Sequence, residues 1–176
     1  MTSPVSEAAD RRKVVLGVFA HPDDPEFFAG ATFARWAAEG ADITFVLATS
    51  GDKGSADPDM TPDRLVAIRE AEERAAARVL GVRDVIFLRF ADGELTPSLD
   101  LRREVVRLIR LKRPDVVVTL DPSVFWYEGR GLNHPDHRAI GEATLDAVYP
   151  TARDRLNFML LEQHEGLTPH KVRQVY

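Results

Sequence analysis

Short apolar runs alternate with longer amphipathic stretches along almost the whole chain, and few folds accept that rhythm. Val14 to Ala20 is apolar throughout, the pattern of a strand buried on both faces. Phe27 to Glu39 then reads as a helix, closed by Gly40. Ile43 to Ala48 is a second strand, after which Thr61-Pro62 opens a long helix as N-cap and first-turn proline. That helix runs to about Leu80 before Gly81 and carries an Ala-rich core side. Along it Glu70 and Arg74, and Arg69 and Glu73, are spaced four apart and placed to pair. Val85 to Leu88 predicts a third strand, Ser98 to Lys112 a helix ending before Pro114, and Val116 to Leu120 a fourth strand. Asp136 to Val148 looks helical, Phe158 to Leu161 is expected to be a short strand, and Lys171 to Tyr176 begins another. The alternation predicts an α/β protein: a three-layer α/β/α Rossmann-like fold with a mainly parallel sheet.

The 176 residues suit one hydrophobic core. Residues 1–12 are expected to form a flexible arm and 13–176 a single catalytic domain, which stops as though C-terminal elements were missing. A net charge of -5 with no basic stripe argues against nucleic acid as a partner. The absence of cysteine excludes disulfides, thiolate ligands and cysteine nucleophiles, and is compatible with a cytoplasmic location. Arg11, Arg12 and Lys13 before an apolar run imitate a secretory leader. The run ends after seven residues at His21-Pro22-Asp23-Asp24, with no small-residue cleavage site, and is too short to cross a bilayer. No membrane anchor or amphipathic membrane helix is expected, which disfavours a lipid-embedded substrate.

In open α/β sheets, ligands bind beyond the carboxyl ends of the strands. Two segments at such ends are dense in His and Asp: Ala20-His21-Pro22-Asp23-Asp24 after the first strand, and Asn133-His134-Pro135-Asp136-His137 after the fourth. They hold three of the five histidines. Two imidazoles and one carboxylate can bind a divalent metal and leave a position for water, whose pKa falls to about 7 in favourable zinc sites. A spare carboxylate can then act as general base. On an extended backbone the adjacent Asp23 and Asp24 would point opposite ways, one to metal and one to water. Each motif alone has a plainer reading, as a turn or an Asp N-cap; both together at strand ends outweigh it. The same donors suit iron(II) in a non-haem oxygenase, although such enzymes usually use β-barrels, an argument by analogy alone. A non-catalytic binding domain is a third reading, against which every ligand and acid-base position is filled.

These residues resemble the LmbE-like, or PIG-L, family of zinc-dependent de-N-acetylases, which includes the enzyme that removes acetate from N-acetylglucosaminyl-phosphatidylinositol. The likeness covers Ala20 to Asp24 with Glu26, Thr49-Ser50-Gly51, Arg69 with Glu72, Asp92-Gly93, and His134 to His137, nearly the whole chain in order. The resemblance implies Zn²⁺ bound by His21, Asp24 and His137, with Asp23 as general base. It further implies that His134 stabilises the oxyanion and protonates the leaving amine, that Asp136 orients His134, and that Arg69 and Asp92 contact a small N-acetylated sugar or glycoside. Two positions depart from the pattern: Pro25 displaces the acidic residue that follows the paired aspartates, so Glu26 comes one place late, and Leu132 stands where thiol-cofactor members carry Tyr. Residues 49–54 resemble a phosphate loop only loosely and read as a turn lining the site. Trp126 and Tyr127 are candidates for a sugar-stacking rim, more ordinarily for covering the core edge. Phe125-Trp126-Tyr127 also offers a surface for a homo-oligomer. His164 and His170 are expected to be surface or structural residues.

Overall fold

The computed structural model describes residues 12–129 and 131–176. The expected arm therefore lies, Arg12 apart, outside the described residues, as does Arg130. The chain runs through β1 (Val14–Phe19), α1 (Asp24–Ala38), β2 (Asp42–Thr49), α2 (Pro62–Val79), β3 (Asp84–Phe90), α3 (Leu99–Lys112) and β4 (Val116–Val118). A short hairpin follows, β5 (Trp126–Tyr127) and β6 (Gly131–Leu132), then α4 (Pro135–Asp146), a wide turn at Ala147–Thr151, α5 (Met159–Glu165) and β7 (Gln174–Val175). The main sheet has the order β3-β2-β1-β4-β7 with every pairing parallel. The α/β fold with a mainly parallel sheet is thus as the alternation predicts.

The chain steps outward from β1 to β3, then returns past β1 to β4 and leaves in the opposite direction. Right-handed crossovers consequently set α1 and α2 on one face and α3 and α4 on the other. On the first face Phe33 of α1 meets Phe45 of β2 with ring centroids 4.8 Å apart and Phe19 of β1 at 6.1 Å. Val15 to Ala20 and Phe45 to Ala48 are buried almost without residual exposure, the reason both runs are apolar at every position. The direction of travel reverses between β1 and β4, and that switch point opens a crevice beyond their carboxyl ends. Both His-Asp segments emerge there.

Capping follows local chemistry. Thr61 Oγ1 accepts from Arg64 N and Ser98 Oγ from Leu101 N, while Gly40 and Gly81 close α1 and α2 at positive φ. Four expectations need correction. Phe158 to Leu161 is not a strand: Phe158 precedes α5, and the segment buries little beyond Leu161. Four apolar residues carry no period that separates strand from helix. The core side of α2 is not Ala-rich; its buried positions are Leu65, Glu70, Glu73 and Ala77. Alanine methyls bury little area each, so partners for the two glutamates set the face. Glu70 pairs with Arg74 as expected, but Arg69 turns to Asp23 and Glu73 accepts from Asp23 N. Finally, α1 begins at Asp24, so the paired aspartates do not lie on extended backbone. The segment after α4 is held by Arg110, 2% exposed, whose guanidinium donates to the carbonyls of Thr151, Ala152, Asp154 and Asn157.

Candidate metal centre

The site begins with one unusual backbone position. Asp23 sits at φ 98°, a left-handed conformation that is uncommon outside glycine and costs roughly 1–3 kcal/mol. It turns the chain sharply out of β1 into α1, so Asp23 and Asp24 diverge through this turn rather than by strand alternation. Its amide N–H donates to Glu73 Oε2 at 3.1 Å. Its carboxylate, with 60% side-chain exposure, faces the crevice and meets Arg69 Nη2 at 3.2 Å. Asp24 is buried as the first residue of α1, and its Oδ2 accepts from the amides of Ala20 and His21 at 3.1 and 2.8 Å.

Three side chains converge beside it. His137 Nε2 lies 3.1 Å from Asp24 Oδ1, and His21 Nδ1 lies 3.6 Å from Asp24 Oδ2. His21, Asp24 and His137 each offer one ligand atom, all within 4.8 Å of one another. A second trio, His21, His134 and Asp136, also brings its ligand atoms within 4.8 Å of one another. The partners of the outer atoms separate the two. Asn133 Nδ2 donates to Val124 O at 2.7 Å, which turns its Oδ1 to His137; His137 Nδ1 therefore carries the proton and donates at 3.0 Å. Its Nε2 is thereby turned toward Asp24. In the second trio, Asp136 is fully buried and already accepts from Gly93 N at 2.7 Å and Leu95 N at 3.2 Å. His134 Nδ1 accepts from Asp136 N at 3.2 Å, capping α4. That leaves the proton of neutral His134 on Nε2, at the exposed edge of the crevice.

The Asp136 carboxylate is placed differently from the expectation that it orients His134: it lies 3.2 Å from His21 Nε2. Asp92 Oδ1 lies 3.1 Å from the same nitrogen, and Asp92 Oδ2 accepts from Lys53 N. Asp92 is thus buried against the imidazole, while Arg69 is bonded to Pro22 O at 2.6 Å and to Gly51 O at 3.3 Å. Gly51 shows why residues 49–51 line the site. A Cβ there would stand 2.1 Å from Arg69 Nη1, and its φ is +66°. Only glycine admits the guanidinium.

The charges are strongly coupled. Burial opposes protonation of His21, but the carboxylates of Asp136, Asp24 and Asp92 outweigh it and push its pKa up to about 9. Burial would raise Asp24, yet hydrogen bonds from His137 and His21 hold it well below the usual carboxylate range. Partial burial lifts Asp23 despite the opposing pull of Arg69, and burial with the charge of His21 lowers His134. Imidazoles and a low-pKa carboxylate are donors that suit a divalent cation, which would have to displace the proton His21 holds.

Sequence reasoning passed over Asn133 and Glu73. Asn133 opens the second motif but was given no role of its own, and the spacing of Glu73 suggested only a pair with Arg69. Trp126 and Phe125 are exposed, Phe125 beneath the Arg138 guanidinium at 4.5 Å, and Tyr127 is half-buried. His164 is exposed and His170 lies 2.8 Å from Pro114 O, a structural contact. Among the described residues no helix is long and apolar enough to cross a membrane.

Comparison with known proteins bears on this arrangement. The family described as PIG-L, GlcNAc-PI de-N-acetylase, matches residues 16–148. The diacetylchitobiose deacetylase of Thermococcus kodakarensis is 34% identical over 173 residues, covering 97% of this chain and 61% of that protein. A 1D-myo-inositol 2-acetamido-2-deoxy-alpha-D-glucopyranoside deacetylase from Kineococcus radiotolerans is 32% identical, covering 84% of this chain and 48% of the relative. Among solved structures, N,N'-diacetylchitobiose deacetylase from Pyrococcus horikoshii superposes with a TM-score of 0.84 at 30% identity, covering 90% of this chain and 57% of its own. The chain therefore spans about half to three fifths of the length of these relatives.

Proposed function

The chain belongs to the PIG-L family of GlcNAc-PI de-N-acetylases, and from that premise we propose that it is a metal-dependent hydrolase releasing acetate from an N-acetylated amino sugar or glycoside. The reading takes residues 13–176 as one catalytic unit. The observation that carries it is the convergence of His21, Asp24 and His137, with ligand atoms within 4.8 Å of one another. Asn133 and Asp136 occupy the outer nitrogens of the two histidines. Metal-binding histidines are ordinarily anchored through the second ring nitrogen in this way.

These three residues fit Zn²⁺, which, bound there, would polarise the amide carbonyl and lower the pKa of a water to about 7. The chain's own groups do the rest. Asp23, divergent from Asp24 and with its pKa raised from its ordinary value by partial burial, takes the proton of the attacking water. His134, with Nε2–H at the open edge, donates a hydrogen bond to the oxygen on which negative charge develops, and the proton taken up by Asp23 is passed to the departing amine, which restores the Asp23 carboxylate. Asp136 orients His21 by accepting from its Nε2, and Arg69 and Asp92 border the sugar position. Acetate and a free amine are the products.

An acetate-release screen over N-acetylated amino sugars, with zinc supplied and oxygen excluded, tests the reading. Asp23→Asn keeps a residue that tolerates left-handed backbone and removes the base, so turnover is expected to fall ~10²–10⁴-fold with zinc still bound. Unaltered turnover would remove Asp23 from the base role. Turnover that required oxygen would favour an iron oxygenase using the same donors.

A further inference from the structure

The edge strand β3 breaks step with its neighbour just before it reaches the crevice. Leu47 of β2 pairs with Phe87, but Thr49 pairs with Phe90, so β3 uses three residues where β2 uses two. The extra residue makes a bulge, a device rare between parallel strands that re-aims the side chains beyond it. Within it Arg89 sits at φ 58°, in the left-handed region that favours glycine. Its side chain is anchored there by a single partner. Arg89 Nε and Nη2 donate to Glu70 Oε1 and Oε2 at 2.9 and 3.1 Å, a two-pronged pair that fixes the geometry. Glu70, 5% exposed on α2, is held in turn, accepting from Ser50 Oγ at 2.8 Å and Arg74 Nη2 at 3.1 Å. Hydrogen bonds led by the one from Arg89 draw its carboxyl down to about 2 against its burial, so it is ionised at neutral pH.

The turn after the bulge reaches the first histidine from two sides. Asp92 Oδ1 lies 3.1 Å from His21 Nε2, while Gly93 N and Leu95 N donate to Asp136 at 2.7 and 3.2 Å. One short turn thus gives a carboxylate to the imidazole and two amides to Asp136, which holds the same imidazole. Side chains alternate along a strand, so without the extra residue the positions that follow would pass to the opposite face. We propose that Arg89 is a positioning residue: clamped by Glu70 in a left-handed conformation, it creates the bulge that aims the Asp92–Gly93 turn at His21 and Asp136. The proposal rests on the metal-centre reading only in treating His21 as a ligand; the aim itself belongs to the free chain. An arginine with 66% side-chain exposure on an edge strand ordinarily does no more than guard that edge against aggregation. The left-handed backbone and the buried, ionised acceptor set this one apart.

Amide hydrogen exchange on the metal-free full chain, resolved at Gly93 and Leu95, reads the aim of the turn. Rates are taken relative to the amides of β1, which report global opening. Arg89→Ala loses the clamp and keeps a side chain that disfavours positive φ, so both amides should exchange about tenfold faster or more. Arg89→Gly also loses the clamp but accepts the conformation freely, and should stay within about threefold of wild type. Glu70→Gln should quicken exchange as Arg89→Ala does, and adding Arg89→Gly to it should recover most of the protection. That second pair answers the question even if Arg89→Ala does not fold. Unchanged exchange in either Glu70→Gln or Arg89→Ala overturns the proposal. So does equal quickening in Arg89→Ala and Arg89→Gly, which would mean that the ion pair braces the fold without shaping the backbone. Chelator competition forms a second arm, with zinc affinity about tenfold lower in Arg89→Ala than in Arg89→Gly. A purely structural ion pair would lower Tm alike in both and leave zinc affinity unaltered. The expected order of exchange in a chain that releases acetate from no sugar would sink the deacetylase reading and leave the aiming role standing.

Discussion

Asn133 decides which nitrogen of His137 faces the proposed metal position. Its own amide is turned by Val124 O, so the Oδ1 acceptor is committed before His137 arrives. Asn133→Ala should therefore release the ring and lower zinc affinity about 10–100-fold, a typical cost for losing such an orienting partner; chelator competition measures it, and unchanged affinity would show that α4 alone positions the ring. Glu73 supports a different prediction. Its pKa is raised by burial first and by Glu26 second, from 4.5 to about 7. An acid with a raised folded pKa adds stability that is complete below about 4.5 and is lost as pH climbs through about 7. Relative to Glu73→Gln, wild type should lose up to ~3 kcal/mol over that interval, read by urea unfolding at pH 4.5 and pH 8. A pH-independent difference would mean Glu73 is not held protonated. Neither residue was legible in the sequence for a physical reason. His21 and His137 declare their chemistry by type, whereas Asn133, four residues from His137, is aimed by a carbonyl 9 positions back, and Glu73 acts across 50 positions of chain, which no local pattern reports.

Whole elements were more legible than the turns between them. β1, β2, α2, α3 and β4 lie close to where apolar period and caps put them, because burial on both faces and a Thr or Ser cap are local requirements. The failures are α5, which begins within an apolar run of four, Phe158 to Leu161, that carries no period, and Asp23, whose left-handed turn sequence alone does not announce. Glycine at 141 shows how tightly one element is seated. A Cβ there would stand 2.2 Å from Leu120 O, so α4 rests directly on the chain leaving β4. That backbone oxygen cannot give way as a flexible side chain would. Gly141→Ala should force α4 outward, carrying Asp136 and His137 with it. Overpacking of this kind costs roughly 1–3 kcal/mol, or about 2–12 °C of Tm in a chain of this size. Zinc affinity should fall in the same variant, since the helix and the ligand move together; a lowered Tm with unaltered zinc affinity would separate the packing of α4 from the geometry of the centre.

At the scale of the molecule, the sheet's switch point collects charges that a folded chain without metal must satisfy some other way. His21 does so by taking a proton: Asp136, Asp24 and Asp92 overcome its burial and hold its pKa at about 9, against 6.5 for the ordinary side chain. For a base with a raised folded pKa, the added stability is complete below about 6.5 and disappears as pH rises through about 9. The metal-free chain is thus expected to lose up to ~3 kcal/mol between those limits. On the proposed function zinc would compete for the same imidazole, and its binding would have to expel that proton. Apparent zinc affinity should accordingly climb about tenfold per pH unit between pH 7 and pH 9 for the one proton displaced. Calorimetry in buffers of different ionisation enthalpy should find close to one proton released at pH 7.5. Zinc at a hundredfold excess over its Kd adds ~2.7 kcal/mol, so Tm should rise by about 5–11 °C. The rise should be larger at pH 8 than at pH 6, because the two effects of pH act in opposite directions on the free and loaded chains. A zinc-induced shift of equal size at both pH values, with no proton released, would mean that His21 is neutral in the free chain and that the acidic shell around it serves another purpose.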